Sequence, residues 1–122
     1  MSQITIKDYQ QIVKVLNMYV EGNILGKSEI MKSIFHENAT MYGKMNDGWI
    51  KGDIQNLYDI VDQSEPATDL QSRIDILDIT ESVASARVLL ETKQGVAYTD
   101  FHHLIKLDGE WKIISKIFEQ QS

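Results

Sequence analysis

Residues 96–118, VAYTDFHHLIKLDGEWKIISKIF, constrain this chain more than any other stretch. Two runs rich in β-branched and aromatic residues flank Asp108-Gly109, a pair suited to a two-residue hairpin turn with positive φ at both positions. Gly109 takes positive φ without a Cβ clash, and Asp108 tolerates the left-handed region. Alternation places Phe101, His103, Ile105 and Leu107 on one face of the first strand. It places Trp111, Ile113, Ser115 and Ile117 on one face of the second, with Lys112 and Lys116 opposite. A hairpin this long and this apolar must pack against other elements, and it is expected to form half the wall of a pocket.

Upstream, the apolar period changes. Tyr9, Ile12, Val13, Leu16, Tyr19 and Val20 recur at helical spacing and predict a helix over 6–24, with Thr5 as N-cap, Asp8 in the first turn and a stop between Gly22 and Gly26. A second helix is expected over 28–35, with Ile30, Met31, Ile34 and Phe35 inward. A short strand follows at 39–43, then a loop at 44–52. A third helix is expected at 54–63, capped by Asp53 and ended by Ser64-Glu65-Pro66. Strands are expected at 70–79, 83–92, 96–107 and 110–118. In the second of these, Ala84, Ala86, Val88 and Leu90 lie opposite Arg87. Helices first and strands last, in the order ααβαββββ, predict an α+β fold with helices on one face of the sheet.

At 122 residues, with no repeat or linker, residues 1–122 read as one domain. The net charge of −6 and the scattered basic residues argue against a nucleic-acid partner, whose phosphates require a basic stripe. The absence of cysteine excludes disulfides, thiolate metal sites and cysteine nucleophiles. It fits a reducing compartment, and with no apolar leader at the N-terminus and no membrane-length apolar run, a cytoplasmic location is expected. Phosphate-binding glycine loops, serine-hydrolase elbows and zinc-protease helices are missing as motifs. No cofactor is expected. No metal is expected either: His102 and His103 point to opposite faces of a strand, and His36 sits apart from both.

Three segments carry a family resemblance. They are Leu25-Gly26-Lys27, Ile34-Phe35-His36-Glu37-Asn38-Ala39-Thr40, and Asp108-Gly109-Glu110-Trp111-Lys112-Ile113-Ile114. In order and spacing the chain resembles the nuclear transport factor 2-like superfamily. The run YTDFHHLIKLDGEWKIISKIF looks most like its lumazine-binding subgroup. The resemblance implies a cone: three helices in the concave face of a strongly curved antiparallel or mixed sheet, around an internal pocket. It also implies a test against the ketosteroid isomerases of the superfamily. Their helix tyrosine falls on Tyr19, their carboxylate base on Gly43, and their carboxylic acid on His103. With nothing at position 43 to take a proton, steroid-isomerase chemistry is not expected.

Under this reading Phe35, Met41, Tyr58, Phe101 and Ile105 supply apolar wall, while Tyr19, His103 and Trp49 fix a ligand. Trp49 earns its place because it lies in a loop off any periodic face. His103 and Tyr19 are also the catalytic candidates, as titratable groups in an apolar cavity. Each has a plainer alternative as a satisfied core residue. Asp100, His102 and Leu104 are expected on the outer sheet face, where they form a homodimer interface, and Lys112 and Lys116 are expected to be solvated or interfacial. The primary expectation is a domain that binds a small apolar or aromatic molecule. The alternatives are a cofactor-independent lyase or isomerase using Tyr19 and His103, and a homodimeric scaffold with a filled interior.

Overall fold

The computed structural model describes residues 4–121. It opens with a long helix, α1 (Ile6–Leu25). A reciprocal capping box starts it: the Thr5 hydroxyl accepts from the Asp8 amide, and the Asp8 carboxylate accepts from the Thr5 amide. Gly26 ends it in the left-handed conformation, with φ 66°. Ile12, Leu16, Tyr19 and Val20 are buried as their spacing predicts, while Tyr9 and Val13 fall on the exposed flank. Asp8 does more than cap. It accepts from Lys106 Nζ at 3.0 Å and Trp111 Nε1 at 3.1 Å, pinning the start of α1 to the last hairpin.

The expected second helix is instead one 3-10 turn, Ser28–Ile30. The chain has too few residues there to nucleate an α-helix before Phe35 is drawn into the sheet. Met31, Ile34 and Phe35 are nonetheless buried. The expected loop over 44–52 is also corrected. The first strand, β1, runs Phe35–Met45 and turns into β2, Gly48–Asp53, with Lys44 facing Trp49 and Gly43 facing Ile50. The second helix, α2, covers Gln55–Gln63, and Asp53 Oδ1 accepts from the Gln55 amide at 2.7 Å. The remaining strands are β3 (Gln71–Ile79), β4 (Val83–Glu91), β5 (Ala97–Leu107) and β6 (Glu110–Gln121). The described elements are thus two α-helices and six strands, not three helices and five.

The sheet order is β2-β1-β6-β5-β4-β3, antiparallel except for the parallel β1–β6 pair. Helix α1 packs on both β6 and the far edge strand β3, which requires the sheet to curl around it. The predicted turn is present, with positive φ at both Asp108 and Gly109. One irregularity decides which side chains face inward. In β5–β6, Leu104 faces Ile113 but His103 faces Ser115, so β6 carries one extra residue at Ile114. This β-bulge flips the alternation. Trp111 and Ile113 are buried before it, and Lys116 and Phe118 after it.

Candidate functional site

The concave side of the sheet encloses a cavity of about 500 Å³ between α1, α2 and the strands. Met41 and Met45 of β1, Ile50 of β2, Leu57 and Val61 of α2, Leu90 of β4 and Phe118 of β6 give it apolar walls. The exposed polar residues Ser64, Glu65 and Gln94 mark its open end. At the opposite end lie three polar side chains, Tyr19, Asp100 and Lys116, each at most 5% exposed. Many apolar groups with a few placed polar ones is the usual make-up of a small-molecule site.

The polar floor is tightly organised. Tyr19 Oη donates to Asp100 Oδ2 at 2.5 Å. His102 Nε2 lies 3.5 Å from the same oxygen, long for a hydrogen bond, and its ring meets the Tyr19 ring edge-on with centroids 4.7 Å apart. Lys116 Nζ stands 3.4 Å from Met41 Sδ and 3.9 Å from the centroid of the Phe118 ring. Asp100 Oδ1 is buried and makes no hydrogen bond, as are both ring nitrogens of His102. Buried polar atoms without partners are costly, and few are kept in a folded chain.

Electrostatics assign the protonation states. Burial acts to raise the Asp100 carboxyl, but the Lys116 cation, His102 and the Tyr19 hydroxyl outweigh it and hold the group below the usual carboxylate range. Asp100 is therefore ionised. Burial lowers His102 against the pull of Asp100, so the imidazole is neutral. Burial also lowers Lys116, again opposed by Asp100. Burial and the adjoining carboxylate raise the Tyr19 phenol well above its ordinary value, leaving it a donor.

Of the eight residues expected to contact a ligand, Tyr19 and Met41 line the cavity. Phe35 and Tyr58 are buried one layer behind, Phe35 edge-on to both Tyr19 and Tyr58. The other four are corrections. Trp49 is 62% exposed, because β2 pairs with β1 and alternation turns Ile50 inward and Trp49 out. Phe101, His103 and Ile105 lie on the outer face of β5, and His103 and Ile105 line a shallow outer groove with Val83 and Ser85. A Tyr19–His103 pair is therefore ruled out. Conversely Asp100, His102 and Leu104, expected outside at a dimer interface, are buried and face inward, as is Lys116. The apolar reading of β5 chose the face with Phe101, Ile105 and Leu107, whereas the chain keeps a carboxylate and an imidazole inside. That Tyr98, Asp100, His102 and Leu104 share one face was visible in the sequence, but nothing there marked it as the inner one.

Position 43 behaves as its residue type predicts. A Cβ on Gly43 would lie 2.1 Å from the Phe118 ring, so the ring occupies the space a longer side chain would need.

A curved mixed sheet around one long helix, with a hollow concave side and a carboxylate at its base, defines an NTF2-like α+β domain. A family model described as "Putative lumazine-binding" matches residues 7–119, and the chain belongs to that family. It is 33% identical over 116 residues to "Aldolase FrzH" of Cladobotryum sp, covering 94% of this chain and 93% of that protein. Two solved NTF2-like proteins of unknown function are close in structure. The one from Methylobacillus flagellatus KT has a TM-score of 0.91 and 37% identity, covering 98% of this chain and 96% of that one. The one from Shewanella baltica OS155 has a TM-score of 0.90 and 34% identity, covering 99% of each. Among the described residues no helix is long and apolar enough to cross a membrane.

Proposed function

We propose that this chain binds a small, largely apolar or aromatic carbonyl compound in its cavity and moves a proton on it, with Asp100 as the base. The observation that carries this reading is Asp100 Oδ1, wholly buried and unpartnered at the polar end of an apolar cavity. A carboxylate kept ionised in such a place is suited to take a proton from the carbon next to a carbonyl. Tyr19 holds the other carboxylate oxygen and so fixes the direction of Oδ1. The charge of Lys116 faces the same space and complements the oxyanion that forms as the proton leaves. The product of that step, an enolate, serves isomerisation, aldol addition and its reverse alike. The name of the relative from Cladobotryum sp, an aldolase, favours the last two. The family description adds lumazine to the ligands worth trying.

The test is α-proton exchange in D₂O, followed by proton NMR with acetophenone, cyclohexanone and 3-phenylpropanal. Wild type is expected to exceed the buffer rate by about 100-fold or more for at least one probe. Asp100→Asn is expected to lose that gain and Tyr19→Phe to reduce it. Buffer-level exchange of all three probes by wild type would overturn the reading.

A homodimer is proposed alongside, still through the outer sheet face, but with the residues that face carries in place of the buried Asp100, His102 and Leu104. Tyr42, Ile117 and Phe101 face each other across β1, β6 and β5 and are 45%, 49% and 39% exposed. An apolar stripe of this kind favours a partner surface. Light scattering should give a dimer for wild type and a monomer for Phe101→Glu. A monomeric wild type would remove this proposal.

A further inference from the structure

We propose that Lys116 captures the carbonyl covalently, its Nζ condensing with an aldehyde or ketone in the cavity to give a protonated imine beside Asp100. This rests on the reading above and names the chemistry of its substrate. Lys116 is the one buried lysine among the described residues, at 5% exposure, and it lines the cavity. Its surroundings are unusual for an ammonium. Among the described residues no carboxylate is in salt-bridge contact with it, the atom in hydrogen-bond range is the Met41 thioether, and aromatic rings of Phe118 and Tyr19 fill the space 3.9 and 5.8 Å away. Burial with no carboxylate in contact favours the free, nucleophilic amine, against the cation–π attraction of the two rings for the ammonium. The lowering of Lys116 by burial agrees with this placement.

The step balances with solvent as the proton carrier. The ammonium gives a proton to water, and the free amine adds to the carbonyl carbon. A proton on the nitrogen shifts to the new alkoxide, a second returns from water to the carbinolamine oxygen, and that oxygen leaves as water while the nitrogen lone pair forms the C=N bond. One ammonium and one carbonyl compound become one iminium and one water, so the site keeps a single positive charge where the ammonium stood. Asp100, ionised throughout, then removes the adjacent C–H proton to give an enamine, the carbon nucleophile of an aldol addition. The iminium makes that proton far more acidic than the parent carbonyl does, and Asp100 needs no second partner on Oδ1 to take it.

The experiment is borohydride trapping of the full chain with 3-phenylpropanal, read by intact mass and by peptide mapping. The expected result is one reduced probe per chain, on the peptide that contains Lys116, with none on that peptide in Lys116→Arg. Adducts on surface lysines alone, or no adduct, would overturn the proposal. Mapping in wild type needs no variant to fold. The exchange assay separates the two readings: wild-type exchange without an adduct at Lys116 sinks the imine but spares Asp100 as base, whereas loss of both sinks the whole reading.

Discussion

The Tyr19 hydroxyl donates to Asp100 Oδ2 at 2.5 Å, joining the long helix to the penultimate strand across 81 positions of sequence. Both side chains are buried, so the bond forms where no water competes. Tyr19→Phe leaves the ring's edge-on contacts with Phe35 and His102 in place and removes the donor. It should cost about 1–3 kcal/mol in urea denaturation, because a buried acceptor loses its partner. Unchanged stability would mean that the bond contributes nothing net.

The buried charges should be a liability to the fold. Asp100→Asn with Lys116→Met replaces both by neutral groups of similar size. The double variant should gain about 1–4 kcal/mol over wild type while losing α-proton exchange. The pH dependence has a definite sign. Lys116 titrates below its ordinary 10.5 in the native state, so as pH rises through that lowered value the unfolded chain holds a proton that the native chain has shed. Its contribution to wild-type stability should therefore increase with pH up to about 10.5, and the double variant should lack that rise.

Gly43 sets the position of Phe118, and through it that of Lys116. Gly43→Ala drives a methyl into the ring and should destabilise by about 1–3 kcal/mol, the usual cost of overpacking. Denaturation of Gly43→Ala should be partly rescued by Phe118→Leu, which frees the same space. Failure of the rescue would mean that the clash is relieved elsewhere.

Asp8 should make the fold acid-sensitive. Hydrogen bonds from Lys106, Trp111 and the start of α1 hold its carboxyl well below the usual 3.8. As pH falls through 3.8 the unfolded chain binds a proton that the native chain still refuses, so stability present above about pH 4 is lost as pH falls. Trp111 donates to this carboxylate, so its fluorescence reports the loss directly. Asp8→Asn should flatten the acid limb of the fluorescence-detected stability curve.

Much of the fold was legible because local rules and packing agree there. The Thr5 N-cap, the stripe through Ile12, Leu16, Tyr19 and Val20, and the Asp108-Gly109 turn all act as their residue types predict. The helix expected over 28–35 failed on length, and β2 was hidden because glycines at 48 and 52 read as loop while pairing with β1 made it a strand. The site was harder to read. Its floor depends on which face of β5 turns inward and on the bulge at Ile114, which brings Lys116 opposite His102. Periodicity alone favours the more apolar face of β5, and a chain that buries Asp100 and His102 breaks that preference at the place where its chemistry is proposed.

Methyl NMR shows whether a carbonyl ligand sits in the cavity against Asp100. Chain labelled with ¹³C at the methionine methyl groups should be titrated with acetophenone. Met41 and Met45 line the cavity, while Met31 is buried outside it. The Met41 and Met45 signals should move and saturate together while Met31 stays fixed. Saturable binding that leaves Met41 and Met45 unmoved would contradict it.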